Sequence, residues 1–295
     1  KCGFLREAQD VFNELSSQDV VSWNVLISAY VDHGLAQEAM ECMEKMYDEG
    51  SIPLDAITTT CSLKACISVG DFDRGRWIHS QTIKQGLIQA DPMVGISLVE
   101  MYAKCNSLDE AKAVFDVFRD QTVIMWGTLL WGYACQGESE RVFHLYNQMV
   151  EEGVYPDNIS FLSLLSVCSH AGLMNEALKS IISMGEGYGL ASNIEHYNCI
   201  IDLLCRAGLL AKATIVMERM PFQPNSVTWC TILGACRKTG DIALARHAFE
   251  CATNLNDREG ASFILMASIY ADNHLWDDIE ELESLIERNK TDYSN

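Results

Sequence analysis

Proline is scarce, with five in 295 residues, and the twelve cysteines include no C-x-x-C pair. The first scarcity leaves long stretches free to run as helices. The second removes the common paired-cysteine zinc ligand and redox motif. The seven histidines are scattered, and none pairs with a cysteine or carboxylate at ligand spacing. No metal and no cofactor is therefore expected. A phosphate-cradling glycine loop and a Gly-x-Ser-x-Gly elbow are both missing, so no catalytic residue is assigned and the chain reads as a non-enzyme without a small-molecule ligand. The longest apolar stretch, around Val123 to Cys135, is too short to span a bilayer, so no membrane partner is expected. Basic residues are few as well: 21 Lys and Arg stand against 41 Asp and Glu, a net charge of −20. Phosphate neutralisation needs Lys and Arg, so total charge argues against a polyanion binder.

What is present is a row of turn residues. Gly3, Gly34, Gly70, Asn106, Gly137, Gly172, Gly208, Gly240 and His274 each separate an apolar segment from an amphipathic one, at gaps of 31, 36, 36, 31, 35, 36, 32 and 34 residues. Such a period predicts a stacked array in which each unit buries its apolar face against its neighbours. In the first segment, Trp23, Leu26, Ile27 and Tyr30 follow i, i+3, i+4, i+7, the spacing of a helix face. After Gly34, the residues Ala39, Cys42, Met43 and Met46 share a face of a second helix, which Gly50 ends and Pro53 keeps from continuing. Trp126, Leu129, Leu130 and Tyr133 repeat the pattern before Gly137, as do Phe161, Leu164, Leu165 and Cys168 before Gly172. Tyr197, Ile200, Ile201 and Leu204 do so before Gly208, and Trp229, Ile232, Leu233 and Cys236 before Gly240. The prediction is an all-α, right-handed superhelical α-solenoid of helix–turn–helix repeats, with first helices lining the concave side.

Cys66, Cys168 and Cys236 each stand four residues before the turn glycine, a packing position for a small hydrophobe. A reducing compartment suits such cysteines better than a disulfide framework. The acids of the first helices are Asp32, Glu100, Glu195, Asp202 and Asp272, and their bases are Lys64, Lys104, Arg206, Arg237 and Lys238. The first helices are thus neutral. The acidic excess falls on second helices, loops and the tail, as a solvated outer face or a protein-docking face. The chain opens in mid-repeat, which predicts that earlier repeats and any targeting segment lie outside it.

These units resemble pentatricopeptide repeats. The likeness rests on Val-Ser-Trp-Asn…Gly-x-x-x-Glu-Ala, on the alternation of unit lengths, and on closing phrases such as Cys168-Ser-His-Ala-Gly-Leu173, Glu195-His-Tyr-Asn-Cys199 and Leu233-Gly-Ala-Cys-Arg237. The alternation is similar to the plant subclass that mixes short, standard and long repeats (the PLS subclass). Ser268-Ile-Tyr-Ala271 and Trp276-Asp-Asp278 are similar to its E-type extension motifs. The register is a partial short repeat at 1–19, six repeats at 20–55, 56–91, 92–122, 123–157, 158–193 and 194–225, extension motifs at 226–290 (226–259 and 260–290), and a tail at 291–295. A tetratricopeptide array, the nearest competitor, leaves that alternation and the Trp-Asn and Pro-Asp landmarks unexplained.

The resemblance implies that each repeat faces one base of single-stranded RNA, read by its fifth and last residues. The pairs carried over are Asn24/Asp55, Thr60/Asp91, Ile96/Thr122, Gly127/Asp157, Leu162/Asn193 and Asn198/Asn225. Asn24/Asp55 matches the family's uracil-type pair, and Asn198/Asn225 a pyrimidine pair. Ile96 and Leu162 are apolar, Gly127 has no side chain, and the long repeats carry a weak code. Alternatives stand beside these roles. Asn24 could cap a helix, Asp55 and Asp157 could serve plain turns, and Asn198 could be a simple exposed polar residue. Trp23, Trp126, Tyr197 and Trp229 read as core rather than stacking platforms.

The plant subclass often ends in a zinc deaminase that needs His-x-Glu and Pro-Cys-x-x-Cys. Neither occurs here, and Asp292-Tyr293 is only a faint echo of that domain's end. The resemblance therefore implies an adaptor for cytidine-to-uridine editing in a mitochondrion or chloroplast, whose extension recruits a deaminase-bearing or editing-cofactor protein. The other readings are a protein-interaction scaffold with little RNA binding of its own, and a degenerate fragment of a longer product.

Overall fold

The computed structural model describes residues 2–48, 52–118, 121–255 and 260–291. Among them the regular structure is entirely helical. The chain divides into two units, Lys1–Pro156 and Asp157–Asn295.

The first unit holds α1 (Cys2–Glu14), α2 (Val20–Asp32), α3 (Ala36–Asp48), α4 (Ala56–Val69), α5 (Phe72–Lys84), the short α6 (Leu87–Ala90), α7 (Pro92–Lys104), α8 (Leu108–Val117), α9 (Val123–Cys135) and α10 (Ser139–Glu151). The second holds α11 (Asn158–Ala171), α12 (Met174–Ile182) running into a π-helical turn at Ser183–Gly187, α13 (Ile194–Arg206), α14 (Leu210–Arg219), α15 (Ser226–Thr239), α16 (Ile242–Asn254), α17 (Ala261–Asp272) and α18 (Trp276–Thr291). In the first unit α2, α4, α7 and α9 pack side by side, each also against a second helix. In the second unit α11, α13, α15 and α17 do the same. The fold class is the all-α repeat stack that the turn spacing predicts. The extra residues of the two long repeats go to their second halves, as α6 in one and the π turn in the other.

Eight of the nine turn residues have the positive φ that the pattern requires. Asn106 (φ 65°) and His274 (φ 59°) are the non-glycine residues with positive φ among those described. Asparagine and histidine are both among the non-glycine residues enriched in this conformation. Gly3 departs from the pattern: it lies within α1 rather than in a turn. Gly50, read as ending the second helix, and Asp292-Tyr293 lie outside the described residues.

The helix spacing becomes the core. Trp23, Leu26, Ile27 and Tyr30 are buried, as are Trp126, Leu129, Leu130 and Tyr133. Trp23 packs edge-on against Phe12, and Trp126 against Phe115. Tyr197 and Trp229 are half-buried against the second unit's core. Five residues after the turn, Ala39, Ala111, Ala177, Ala213 and Ala245 are buried on second helices. Gly75 takes that place in α5, where a Cβ would stand 2.6 Å from Met101 Sδ. Small side chains here let helices approach closely.

Cys66, Cys168 and Cys236 are buried, and burial pushes each thiol up to about 12. They are neutral at physiological pH and act as packing groups, not nucleophiles. Among the described residues no three His, Cys, Asp or Glu side chains gather as metal ligands would, and no helix is long and apolar enough to cross a membrane.

Candidate nucleic-acid interface

First helices begin at side-chain caps, because an α-helix leaves its first N–H groups without internal partners. Asp19 accepts from Ser22 N at 2.9 Å, Asp55 from Thr58 N at 2.7 Å, Asp91 from Met93 N at 2.8 Å and Thr122 from Met125 N at 3.4 Å. In the second unit Asp157 accepts from Ser160 N at 2.9 Å, Asn193 from His196 N at 3.2 Å and Asn225 from Thr228 N at 2.9 Å. The last residue of the partial repeat and of each of the six repeats is thus the N-cap of the following first helix. Asp55 and Asp157 therefore hold helix starts, where the backbone dipole also favours an anion. The Asp19 carboxyl is held below the usual carboxylate value by bonds from the Ser22 N–H and hydroxyl.

The fifth residues sit one turn into these helices. Asn24 lies within α2 and leaves the capping to Asp19. Its side chain is buried between repeats, where Nδ2 donates to Asp55 Oδ2 at 2.8 Å and Oδ1 accepts from the Thr58 hydroxyl. Asn198 repeats this arrangement in the second unit. Its Nδ2 donates to Asn225 Oδ1 at 3.4 Å, and its Oδ1 accepts from the Thr228 hydroxyl at 2.7 Å. Asn198 is therefore a bonded, half-buried group rather than a simple exposed one.

The remaining pairs differ. The Thr60 hydroxyl donates to Ile57 O at 3.0 Å, inside its own helix. Ile96 is buried, Gly127 offers no side chain, and Leu162 is half-buried. The Asn193 cap is reinforced by buried His196, whose Nδ1 accepts from Asn193 N at 3.2 Å and whose Nε2 meets Asn158 O at 3.0 Å. Burial lowers the pKa of His196.

Two sets of residues at these helix starts escaped the sequence reading. The second residue of the first helix is a large, exposed apolar group at Val21, Ile57, Met93 and Ile124 in the first unit, and at Ile159 and Val227 in the second. Their recurrence three residues before the fifth position was the available signal. The other set, the third residues Thr58 and Thr228, is buried.

Cations are sparse on the first helices. Lys104 pairs with Glu100 at 2.8 Å, Arg206 with Asp202 at 2.7 Å and Arg237 with Asp272 at 2.7 Å. Lys64 and Lys238 have no carboxylate partner among the described residues.

Comparison with known proteins adds the following. The PPR repeat family matches residues 18–68 and 121–170, and further PPR repeat matches cover 159–186 and 188–221. The chloroplastic pentatricopeptide repeat-containing protein DOT4 of Arabidopsis thaliana is 36% identical over 97% of this chain and 33% of its own length. A mitochondrial pentatricopeptide repeat-containing protein of the same plant is 33% identical over 96% of this chain and 43% of its own length. The chain thus spans well under half the length of either. A crystal structure of the pentatricopeptide repeat protein PPR10 in complex with an 18-nt psaJ RNA element superposes with a TM-score of 0.81 at 19% identity, covering 97% of this chain and 44% of that one. A crystal structure of PPR10 from maize gives a TM-score of 0.57 at 18% identity, covering 98% of this chain and 47% of that one.

Proposed function

This chain belongs to the pentatricopeptide repeat family, and we propose that it is a non-catalytic, sequence-selective single-stranded RNA-binding module of a plant organelle. The observation that carries this reading is the clustering at the helix starts. Asn24 is bonded to Asp55 and Asn198 to Asn225. An exposed apolar residue stands three positions before the fifth in every repeat from 20–55 to 158–193, with Glu195 in that place before Asn198. Polar groups at a base edge supply donors and acceptors, and apolar groups can flank its faces. Asn24/Asp55 and Asn198/Asn225 are the strongest readers, with Thr60/Asp91 weaker. Ile96/Thr122, Gly127/Asp157 and Leu162/Asn193 read loosely. The alternating unit lengths and closing phrases support membership of the mixed short, standard and long subclass. Residues 226–290 then act as E-type motifs that recruit a deaminase-bearing or editing-cofactor protein, and the process served is cytidine-to-uridine editing.

The test is selection of random single-stranded RNA by the chain, followed by sequencing of the bound pool. The expected motif is a uracil, four loosely read positions and a pyrimidine. The uracil preference is expected to vanish in Asn24→Ala with Asp55→Ala. A second reading, a protein-docking scaffold, draws support from the net charge of −20 and the carboxylate partners of Lys104, Arg206 and Arg237. A pool without enrichment at low salt would overturn the first reading and favour the second, with partner capture as the next measurement.

A further inference from the structure

We propose that Thr58 and Thr228 are positioning residues for base selectivity: each fixes which end of the preceding repeat's fifth-residue amide is presented. This rests on the base-reading assignment above and adds a third position to it, supplied by the next repeat.

A carboxamide has two nearly isosteric ends, one an acceptor and the other a double donor. Turning it over exchanges the pattern offered to a base edge. A reader built on Asn must therefore hold one orientation. In the first unit two neighbours do so together. The Asp55 carboxylate only accepts, so it requires Asn24 Nδ2, which it meets at 2.8 Å. The Thr58 hydroxyl, on a wholly buried side chain, stands between Asn24 Oδ1 and Asp55 Oδ1, the latter at 2.8 Å, and completes the arrangement by donating to Asn24 Oδ1. One Nδ2 hydrogen of Asn24 is left uncommitted by these bonds.

The second unit reaches the same result with different chemistry at the last residue. Asn225 is itself an amide, and its orientation is set because Oδ1 accepts the Thr228 N–H at 2.9 Å. That oxygen then faces Asn198 Nδ2, while the Thr228 hydroxyl lies 2.7 Å from Asn198 Oδ1. The backbone and side chain of one threonine thus orient both members of the pair. The long Asn198–Asn225 contact of 3.4 Å makes this threonine the main restraint.

The distribution of third residues agrees. A threonine follows each asparagine at the fifth position. Val94 follows Thr60, Met125 follows Ile96 and His196 follows Leu162, so three of the four repeats without an amide are followed by no hydroxyl. Ser160, after Gly127, is the exception; it closes a capping box with Asp157, as Thr228 also does with Asn225. A capping duty alone would account for the Thr228 hydroxyl lying 2.9 Å from Asn225 Oδ1, but not for its 2.7 Å contact with Asn198 Oδ1.

The experiment uses the 295-residue chain and RNAs of the selected sequence carrying each of the four bases at one position. Thr58→Val keeps the shape and removes the hydroxyl, and Val94 already fills the equivalent place one repeat on. The ratio of best to worst Kd at the nucleotide facing Asn24 is expected to fall about fivefold. The ratio facing Asn198 stays constant, and Thr58→Ser restores the parent ratio. Thr228→Val gives the reciprocal result. Thermal melts of each variant separate a loss of fold from a loss of selectivity. A folded Thr58→Val or Thr228→Val that discriminates like the parent overturns the proposal and leaves the base-reading assignment intact. A parent with no base preference at either position overturns both.

Discussion

Asn24 and Asn198 occupy the same place in two separately packed units, yet their restraints differ in kind. Asp55 divides its work between two oxygens, Oδ1 for the Thr58 N–H and Oδ2 for Asn24. Asn225 has one oxygen for both duties, and its contact with Asn198 stretches to 3.4 Å. The comparison teaches that the last residue sets more than a partner. With Asp the pair offers further acceptor capacity. With Asn it keeps an amide donor uncommitted, and the threonine takes over the restraint. The same backbone therefore presents two different chemical faces.

The comparison breaks most visibly at the last residues. Asp55→Ala removes a cap and a charge-assisted restraint together, and is expected to cost about 1–2 kcal/mol, against about 1 kcal/mol for Asn225→Ala. Urea unfolding of both variants checks this, and equal losses would mean that the carboxylate adds nothing to the cap. Asn225→Asp should turn the second pair into the first. Its base preference is expected to move toward that at Asn24, by about fivefold, in the same binding assay. An unchanged preference would show that the last residue does not choose the base.

A smaller effect lies in two histidines, one in each unit. Burial lowers the pKa of His79, which meets the Tyr102 hydroxyl at 2.8 Å, and that of His196 in the cap of α13. The unfolded chain therefore takes up these protons first. Stability is full above the ordinary histidine value of 6.5 and declines as pH drops below it. Tm followed between pH 7.5 and 5 should fall less steeply in His79→Gln and in His196→Gln than in the parent. Parallel slopes in all three would remove both groups from the account.

The repeat and its helices were legible because their signals are local. A helix face needs only residues three and four apart, and a turn only one residue that accepts positive φ, so Asn106 and His274 could be placed among the glycines. Caps are local as well, which is why the last residues fell at helix starts. Gly3 failed because its spacing to Gly34 carried the assignment, whereas the fold has it inside α1. The threonine restraint was hidden for the opposite reason. Thr58 and Asn24 are 34 residues apart, and Thr228 and Asn198 are 30 apart. Their meeting depends on how one helix stacks on the next. The exposed apolar second residues were visible as a pattern, but only burial shows that they face away from the core.

The placement of the repeats' last residues at helix N-caps has a consequence for how such arrays diversify. Asp, Asn and Ser cap about equally well, and Thr only slightly less. Their side chains nonetheless differ in the donors and acceptors that remain after capping. Substitutions within that small set can therefore change the recognised letter while leaving the helix start intact. Residues outside it would carry a folding cost before any new preference could be tried. Helix-start chemistry thus acts as the spelling rule of the array, with a short alphabet whose members are almost interchangeable in stability.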